Sequence, residues 1–595
     1  MDQRPDSVSA EQTAQVLHQV AQRASHILKE FGQKQFEQAL SSAVKDELGV
    51  ARAYMELWSR TLMDPSALAA ASINYWVDSM RLWHSTWMKM LGQEGKAVAE
   101  PAKGDARFRD EEWSGNFVFD YIKQSYLIAA RHIQHAVGGI EGLPEESQKK
   151  IAFFTRQYVD ALAPSNFAAT NPQVLRETLA SGGQNLIKGL NNLLADIEKG
   201  EGQLRISMTD ETAFQLGRNV ATTPGKVVFQ NALLQLIQYQ PATSSVFRRP
   251  LLIIPPWINK YYILDLRPAN SFIKWAVEQG HTVFVVSWVN PDAKLAQKGF
   301  DDYLAEGALA AMDAVLQATG EARLNVIGYC LGGTLLGTAL AWLAAKGDAR
   351  VASATFFVSL LDFSQPGELG VFIDEAQVQN LERRMNERGY LEGSEMASTF
   401  NLLRSNDLVW SFVINNYLMG KDPFPFDLLY WNSDSTRMPA KMHSFYLRHM
   451  YLKNELGVPG AVELAGVPID LSKVKLPAYF ISTAEDHIAP WKTTYKGSKY
   501  LGGPVRFVLG GSGHIAGIVN PPAAKKYQYW TSDAYPASAE AWLEGATQHP
   551  GSWWEDWQRW MEQQNGGDKV PARIPAKAIE DAPGAYARVH LRKKQ

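Results

Sequence analysis

The only cysteine in the 595-residue chain lies in Val326-Ile327-Gly328-Tyr329-Cys330-Leu331-Gly332-Gly333, between a short apolar run and a helical pattern. Glycines two residues to either side of a nucleophile mark a strand-to-helix elbow, a strained turn whose neighbouring backbones pass too close for side chains. With 45 Gly in the chain, two at these offsets from one Cys arise by chance in about 0.6% of cases,. A thiol so placed reads as a nucleophile rather than core filler. It then needs a base, and the base needs an orienting acid.

Both follow along the chain. The run AYFIS leads into Thr483-Ala484-Glu485-Asp486-His487, and RFVL leads into Gly510-Gly511-Ser512-Gly513-His514. Cys330, Asp486 and His514, each just past a strand, keep the order nucleophile, acid, histidine of the α/β-hydrolase fold. Two alternatives stay open. Asp362 also follows a strand and competes with Asp486, which is favoured for its place after the last strand but one. His487 is a second base, an orienter of the acid loop, or a bystander. The oxyanion hole calls for the backbone N–H of Leu331 and one from the loop Pro255-Pro256-Trp257-Ile258-Asn259-Lys260. Prolines have no N–H, so Trp257 is the first donor available, with Ile258 behind it. No metal-ligand cluster or nucleotide-binding glycine loop accompanies these residues, so no cofactor and no metal is expected.

These groups must be held by strands and helices. Beyond residue 210, short β-rich runs alternate with helical stretches: Leu251–Ile254, Thr282–Trp288, Leu324–Ile327, Ala354–Leu361, Ala478–Ser482 and Val505–Val508. Runs buried on both faces and separated by helices predict a mostly parallel sheet. The alternation lapses over about 363–475, which predicts a cap inserted above the strand ends. Residues 1–210 read as helical throughout, with a linker near 92–106 and helices over Gln12–Leu62, Tyr121–Val137, Pro144–Leu162 and Pro172–Lys199. Ile73, Trp76, Met80, Trp83, Trp87 and Met90 are spaced 3-4-3-4-3, the pattern of a seam, and core or an oligomer contact is favoured over a polymer- or lipid-binding face. Near the other end, Trp553, Trp557 and Trp560 share a helix face expected to pack on the catalytic domain. The expected architecture is an all-helical domain, 1–210, followed by a capped α/β-hydrolase domain, 211–595.

Composition narrows the function classes. The 59 Lys and Arg against 62 Asp and Glu give a net charge of −3, so no nucleic-acid partner is expected,. One cysteine excludes a disulfide framework and cysteine-rich zinc modules. No apolar run reaches the ~20 residues of a bilayer span, and the start MDQRPDSVSAEQ is unlike a signal peptide, so a cytoplasmic protein without a transmembrane segment is expected.

Several longer motifs carry a family resemblance. GYCLGG, PPWINKYYILDLRP, DFSQPGELG, FDLLYWNSDST, EDHIAPW and SGHIAGIVNPPA, with RQYVDALAPSNFAATNP upstream, make the chain resemble the class I polyhydroxyalkanoate synthases from about Asp105 to the Trp-rich end. The resemblance implies an acyltransferase that joins (R)-3-hydroxyacyl groups from coenzyme A thioesters into polyester and releases coenzyme A, with short-chain units such as 3-hydroxybutyryl. It implies Cys330 as nucleophile, Asp486 as acid, His514 as base and His487 as an assistant. It also implies a dimer on intracellular storage granules, bound to the growing polyester. Coenzyme A is then part of the substrate. Arg404 and Lys260 are weak candidates to bind it.

The chemistry agrees. Thioester exchange from coenzyme A to a cysteine is nearly isoenergetic, and transfer onward to a hydroxyl runs downhill to an oxygen ester. Two other classes fit less well. A thioesterase or polyester depolymerase would use the same triad, and a non-catalytic granule coat would not need it.

Overall fold

A computed structural model describes residues 49–589 except 64, 139–141, 203 and 577; the stretch of the first expected helix before residue 49 lies outside them. The chain divides into two compact units, one formed by the described residues up to Asp210 together with Phe400–Phe424, the other by Glu211–Thr399 and Pro425 onward.

The first unit is built from helices α1 (Val50–Met63), α2 (Pro65–Met90), α3 (Phe117–Gly138), α4 (Glu145–Ala161), α5 (Pro172–Ala180) and α6 (Gln184–Lys199). The single helix expected over Pro172–Lys199 is two, because Gly182 and Gly183 take positive φ and break it,. Asn171 caps α5 through the N–H groups of Gln173 and Val174, with Pro172 at the first helical position,. The linker near 92–106 is docked: the N–H groups of Val98 and Ala99 both donate to the side-chain carbonyl of Gln124 on α3, at 2.7 and 3.2 Å.

Helix α2 does not bury the seam in the core of its own chain. Trp76 and Trp83 are 68% and 62% exposed, and Ile73, Met80, Trp87 and Met90 are exposed with them. The face that packs instead carries Leu82 and Ser85, both buried, and polar links to α3: Asp78 to Arg131 and His132, and Lys89 to Asp120. Among the described side chains, ion pairs and Leu82, not the tryptophans, attach this helix.

The inserted segment Phe400–Phe424 also departs from expectation, since it joins the helical unit rather than the rest of the cap. Polar groups of that unit find their partners there. Asn185 donates to the Leu418 carbonyl (2.8 Å), Tyr417 to Asp196 (2.6 Å) and Asn416 to the Ser207 carbonyl (2.7 Å),.

The second unit is an α/β domain around one sheet. Its strands are β1 (Gly225–Gln230), β2 (Leu234–Tyr239), β3 (Leu251–Ile254), β4 (Val283–Trp288), β5 (Leu324–Tyr329), β6 (Val351–Phe357), β7 (Ala478–Thr483), β8 (Val505–Gly510), β9 (Gln528–Thr531), β10 (Thr547–Pro550) and β11 (Glu580–Asp581). They lie in the order β10-β9-β8-β7-β6-β5-β3-β4-β2-β1-β11. The six expected strands, β3 to β8, form the parallel centre. Antiparallel strands that the sequence did not announce extend both edges. Alternate residues feed two cores: Leu252 and Ile254 on one face of β3, Leu251 and Ile253 on the other,. Helices α7 (Phe272–Glu278), α8 (Leu331–Ala345) and α9 (Trp554–Asn565) help to cover the faces.

The tryptophans expected to pack, Trp553 at the N-cap of α9 and Trp557 and Trp560 on it, are core, and Trp554 joins them: Trp553, Trp554 and Trp557 are buried among Phe272, Trp275 and Phe357, and Trp560 lies against Tyr479. The indole N–H groups of Trp553, Trp554 and Trp557 donate to the Gly517 carbonyl (2.8 Å), the Ile518 carbonyl (2.9 Å) and Thr355 Oγ1 (3.1 Å), so this helix also ties down the loop that bears His514.

Candidate active site

β5 ends at Tyr329 and α8 begins at Leu331, leaving Cys330 alone at the turn with φ +52° and ψ −120°. A non-glycine residue held there stores strain. The turn is held by its surroundings: Cys330 N–H donates to the Phe357 carbonyl at 2.9 Å, and the backbone of β3 passes so close that a Cβ on Gly332 would stand 2.1 Å from the Ile254 carbonyl oxygen. The thiol is half-buried and touches both cores at the rim of the sheet.

Past β7, Asp486 is buried and fully engaged. Its Oδ1 accepts the N–H groups of Ile488 (2.9 Å) and Ala489 (2.8 Å), and its Oδ2 stands 2.7 Å from His514 Nδ1. His514 comes from the loop after β8, stacks on Tyr329, the residue before Cys330, and interacts electrostatically with Cys330. Burial alone would lower its pKa, but the charges of Asp486 and Cys330 and hydrogen bonds to both outweigh it and raise the value to about 10,. The structure thus bonds His514 to Asp486 and sets it close enough to Cys330 for the two to interact electrostatically. An imidazole held by a carboxylate at Nδ1 can take a proton from a thiol and return it to a leaving group.

The competing acid, Asp362, is elsewhere engaged. Buried, it bonds to Ser364, Tyr500 and Lys496, and these partners hold its pKa low against the burial that would raise it. His487 sits half-buried beside Asp486, its carbonyl packed against Gly367.

The loop after β3 runs directly against the start of α8, as the close approach to Gly332 records. Leu331 opens that helix, so its N–H is one of the unpaired donors of a helix N-terminus,. The Trp257 side chain is buried among Trp288, Phe300 and Tyr303, with ring centroids 5.3, 6.3 and 4.6 Å away, which anchors the backbone of the loop. Lys260 is not available to a coenzyme A phosphate. It is buried and ion-paired to Asp434 at 2.9 Å. Arg404 belongs to the helical unit and pairs with Asp407 on its own turn.

Two residues near the thiol escaped sequence reasoning. Tyr446 is buried and Tyr451 half-buried against Phe363, and after burial the charge of Cys330 is among the causes that raise the pKa of each. They lie on a π-helical segment, Tyr446–Leu452, where residues five apart share a face; on an α-helix the same spacing would separate them,. The available signal was the i, i+5 tyrosine pair in FYLRHMYL. Among the described residues no cluster of side chains could hold a metal ion, and no helix is long and apolar enough to cross a membrane.

Known proteins resemble this sequence over most of the chain. Residues 104–276 match the family described as poly-beta-hydroxybutyrate polymerase (PhaC) N-terminus, and residues 250–521 match the alpha/beta hydrolase fold. The chain is 48% identical over 581 residues to the poly(3-hydroxyalkanoate) polymerase subunit PhaC of Rhizobium meliloti, covering 97% of this chain and 94% of that protein. It is 50% identical to the poly(3-hydroxyalkanoate) polymerase of Methylorubrum extorquens over 90% of this chain and 88% of the relative. To the corresponding PhaC subunit of Cupriavidus necator it is 45% identical, over 88% and 89%. With an α/β-hydrolase fold and relatives matched nearly end to end, the chain belongs to the poly(3-hydroxyalkanoate) polymerase family.

Proposed function

We propose that this polymerase works by covalent catalysis at Cys330, with His514 as base and Asp486 as the acid that fixes the imidazole. The observation that carries the reading is the bond from Asp486 to His514 beside a thiol on a strained elbow, with His514 and Cys330 interacting electrostatically. The thiol proton resides on His514, whose imidazolium Asp486 favours. The sulfur then attacks the acyl carbon of a hydroxyacyl coenzyme A, with the oxyanion held by the N–H of Leu331 and of Trp257, or Ile258 behind it. The tetrahedral intermediate collapses with cleavage of the bond to coenzyme A, whose sulfur leaves with the proton from His514. In the second half, His514 or His487 takes the proton of a 3-hydroxyl group. That oxygen attacks the acyl-cysteine, the carbon–sulfur bond breaks, and Cys330 is restored as the ester forms. Asp486 stabilises the charged imidazole throughout.

The preferred unit in this reading is short, with 3-hydroxybutyryl coenzyme A as substrate, and Tyr446, Tyr451 and Phe363 keep water from the acyl-enzyme. The enzyme works in the cytoplasm on the surface of its own product, as a dimer, and the exposed face of α2 with Trp76, Met80, Trp83 and Trp87 is the apolar surface that meets the granule.

The test is turnover of 3-hydroxybutyryl coenzyme A. Cys330→Ala should lower coenzyme A release by about 10⁴-fold or more and abolish polymer. A rapid quench of the native enzyme should trap one acyl group per Cys330. Retained turnover in the variant would overturn the covalent mechanism. Free hydroxybutyrate released in step with coenzyme A, without polymer, would replace polymerisation by hydrolysis.

A further inference from the structure

Lys260 closes the loop that supplies the oxyanion donor, and its ammonium is satisfied three times over. It donates to Ala587 O (2.8 Å) and Val589 O (2.7 Å), and Asp434 Oδ1 lies 2.9 Å away. A lysine has three N–H donors, and here each has an acceptor in a site almost closed to solvent,. Burial lowers the Lys260 pKa, opposed by Asp434. The second oxygen of Asp434 accepts from Tyr262 at 2.8 Å.

Two distant stretches of chain meet at this ammonium. One is 431–436, in the insertion, which grips the loop along its length. Trp431 Nε1 donates to the Lys260 carbonyl (2.7 Å), Thr436 N to the Ile258 carbonyl (2.9 Å) and Thr436 Oγ1 to the Trp257 carbonyl, while Asn259 and Ser435 form a β-bridge. A trans peptide is planar, so fixing the Trp257 carbonyl also fixes the N–H of Ile258, the second of the two donors the loop offers, and holds the residue that bears the first,. The other stretch is the C-terminal strap. It pairs with β1 through Glu580 and Asp581, fastens Tyr586 to the Asn231 carbonyl (2.8 Å) and reaches Lys260 with its last described carbonyls.

We propose that Lys260 is a positioning residue for polymerisation: it locks the 431–436 clamp and the C-terminal strap onto the donor loop, so that carbonyls of Ala587 and Val589 help to set the oxyanion hole although they touch no substrate. The inference rests on the reading of loop 255–260 as oxyanion donor given above. Catalysis by preorganised donors is sensitive to position, and a displacement of about 1 Å costs on the order of 10²-fold.

The experiment compares native enzyme, Lys260→Met and a chain ending at Ala582, which keeps β11 and the Lys260–Asp434 pair but removes both strap carbonyls. Each is assayed for steady-state turnover of 3-hydroxybutyryl coenzyme A and for the rate at which iodoacetamide alkylates Cys330, a substitution that needs the thiol and His514 but no oxyanion hole. The expected result is a fall in kcat of about 10- to 100-fold for Lys260→Met and a smaller fall for the shortened chain, with KM and the alkylation rate within about twofold of native. Unchanged kcat in folded Lys260→Met, or in the shortened chain should Lys260→Met not fold, overturns the proposal. So does a kcat loss matched by an equal loss of alkylation, since the effect would then run through the thiol. Failure of the underlying mechanism reads out separately, as turnover retained by Cys330→Ala.

Discussion

Two tryptophan-bearing helices, α2 and α9, carry the same signature and meet opposite ends. On α9, Trp554 and Trp557 are fully buried and their indole N–H groups reach acceptors on the sheet and on the His514 loop. On α2, Trp83 and Trp87 stack on each other at 5.9 Å in the open, while the helix is attached by its other side through Leu82 and ion pairs. Helical spacing states which residues share a face; the neighbours decide what covers it. An indole N–H is costly to bury unpaired, and the buried Trp554 and Trp557 of α9 each meet an acceptor,.

The contrast can be broken in three ways. The largest effect is expected on α9: Trp557→Ala should cost about 3–5 kcal/mol in a denaturant titration, because it opens a cavity against Phe272 and Trp275 and strands the Thr355 hydroxyl,. Within α2 itself, Leu82→Ala should cost about 2–5 kcal/mol, whereas Trp83→Ser with Trp87→Ser should stay within about 0.5 kcal/mol per site. Equal losses on both faces would erase the distinction. The same double variant carries the smallest stability effect but a functional one: sedimentation with poly(3-hydroxybutyrate) granules should fall while turnover of soluble substrate persists. Undiminished sedimentation would remove α2 from the granule contact.

The loop fastened by α9 adds a pH-dependent test. His514 has a folded pKa raised to about 10 from 6.5, so the folded state holds an extra proton between those values,. Its stabilisation is complete below pH 6.5 and is lost as pH rises through about 10. The stability difference between native protein and His514→Gln should therefore shrink across that window, whereas variants on α2 should show no such trend. A difference that grew with pH would mean that His514 is not held in its charged form.

Much of this was legible in the sequence because its signals were local. Each of the three chemical residues follows a strand, and a glycine-flanked elbow needs only a few positions to declare itself. What escaped depended on partners far along the chain or on unusual spacing. Tyr446 and Tyr451 share a face only because their helix is wound with i+5 bonds. Lys260 looked like a free cation because its partners lie more than 170 residues away, at Asp434 and at Ala587. The hairpin β1–β2 is rich in glutamine, and Gln235 and Gln238 are buried only because Glu580 and the Arg573 carbonyl come back to meet them. Segment 400–424 reads as part of the cap until the buried Asn185 and Asp196 of the helical unit are found to need it.

The strap has one more consequence. An uncovered outer strand offers a row of free N–H and C=O groups to any passing chain, and β1 would be such a strand. The pairs Lys226 with Asp581 and Val227 with Glu580 occupy that row, and an ion pair between Lys226 and Asp581 reinforces the seal. The stretch that reaches Lys260 therefore also works as a guard against self-association: a protein clipped before residue 580 would expose the edge of its sheet and tend to grow by adding copies of itself there.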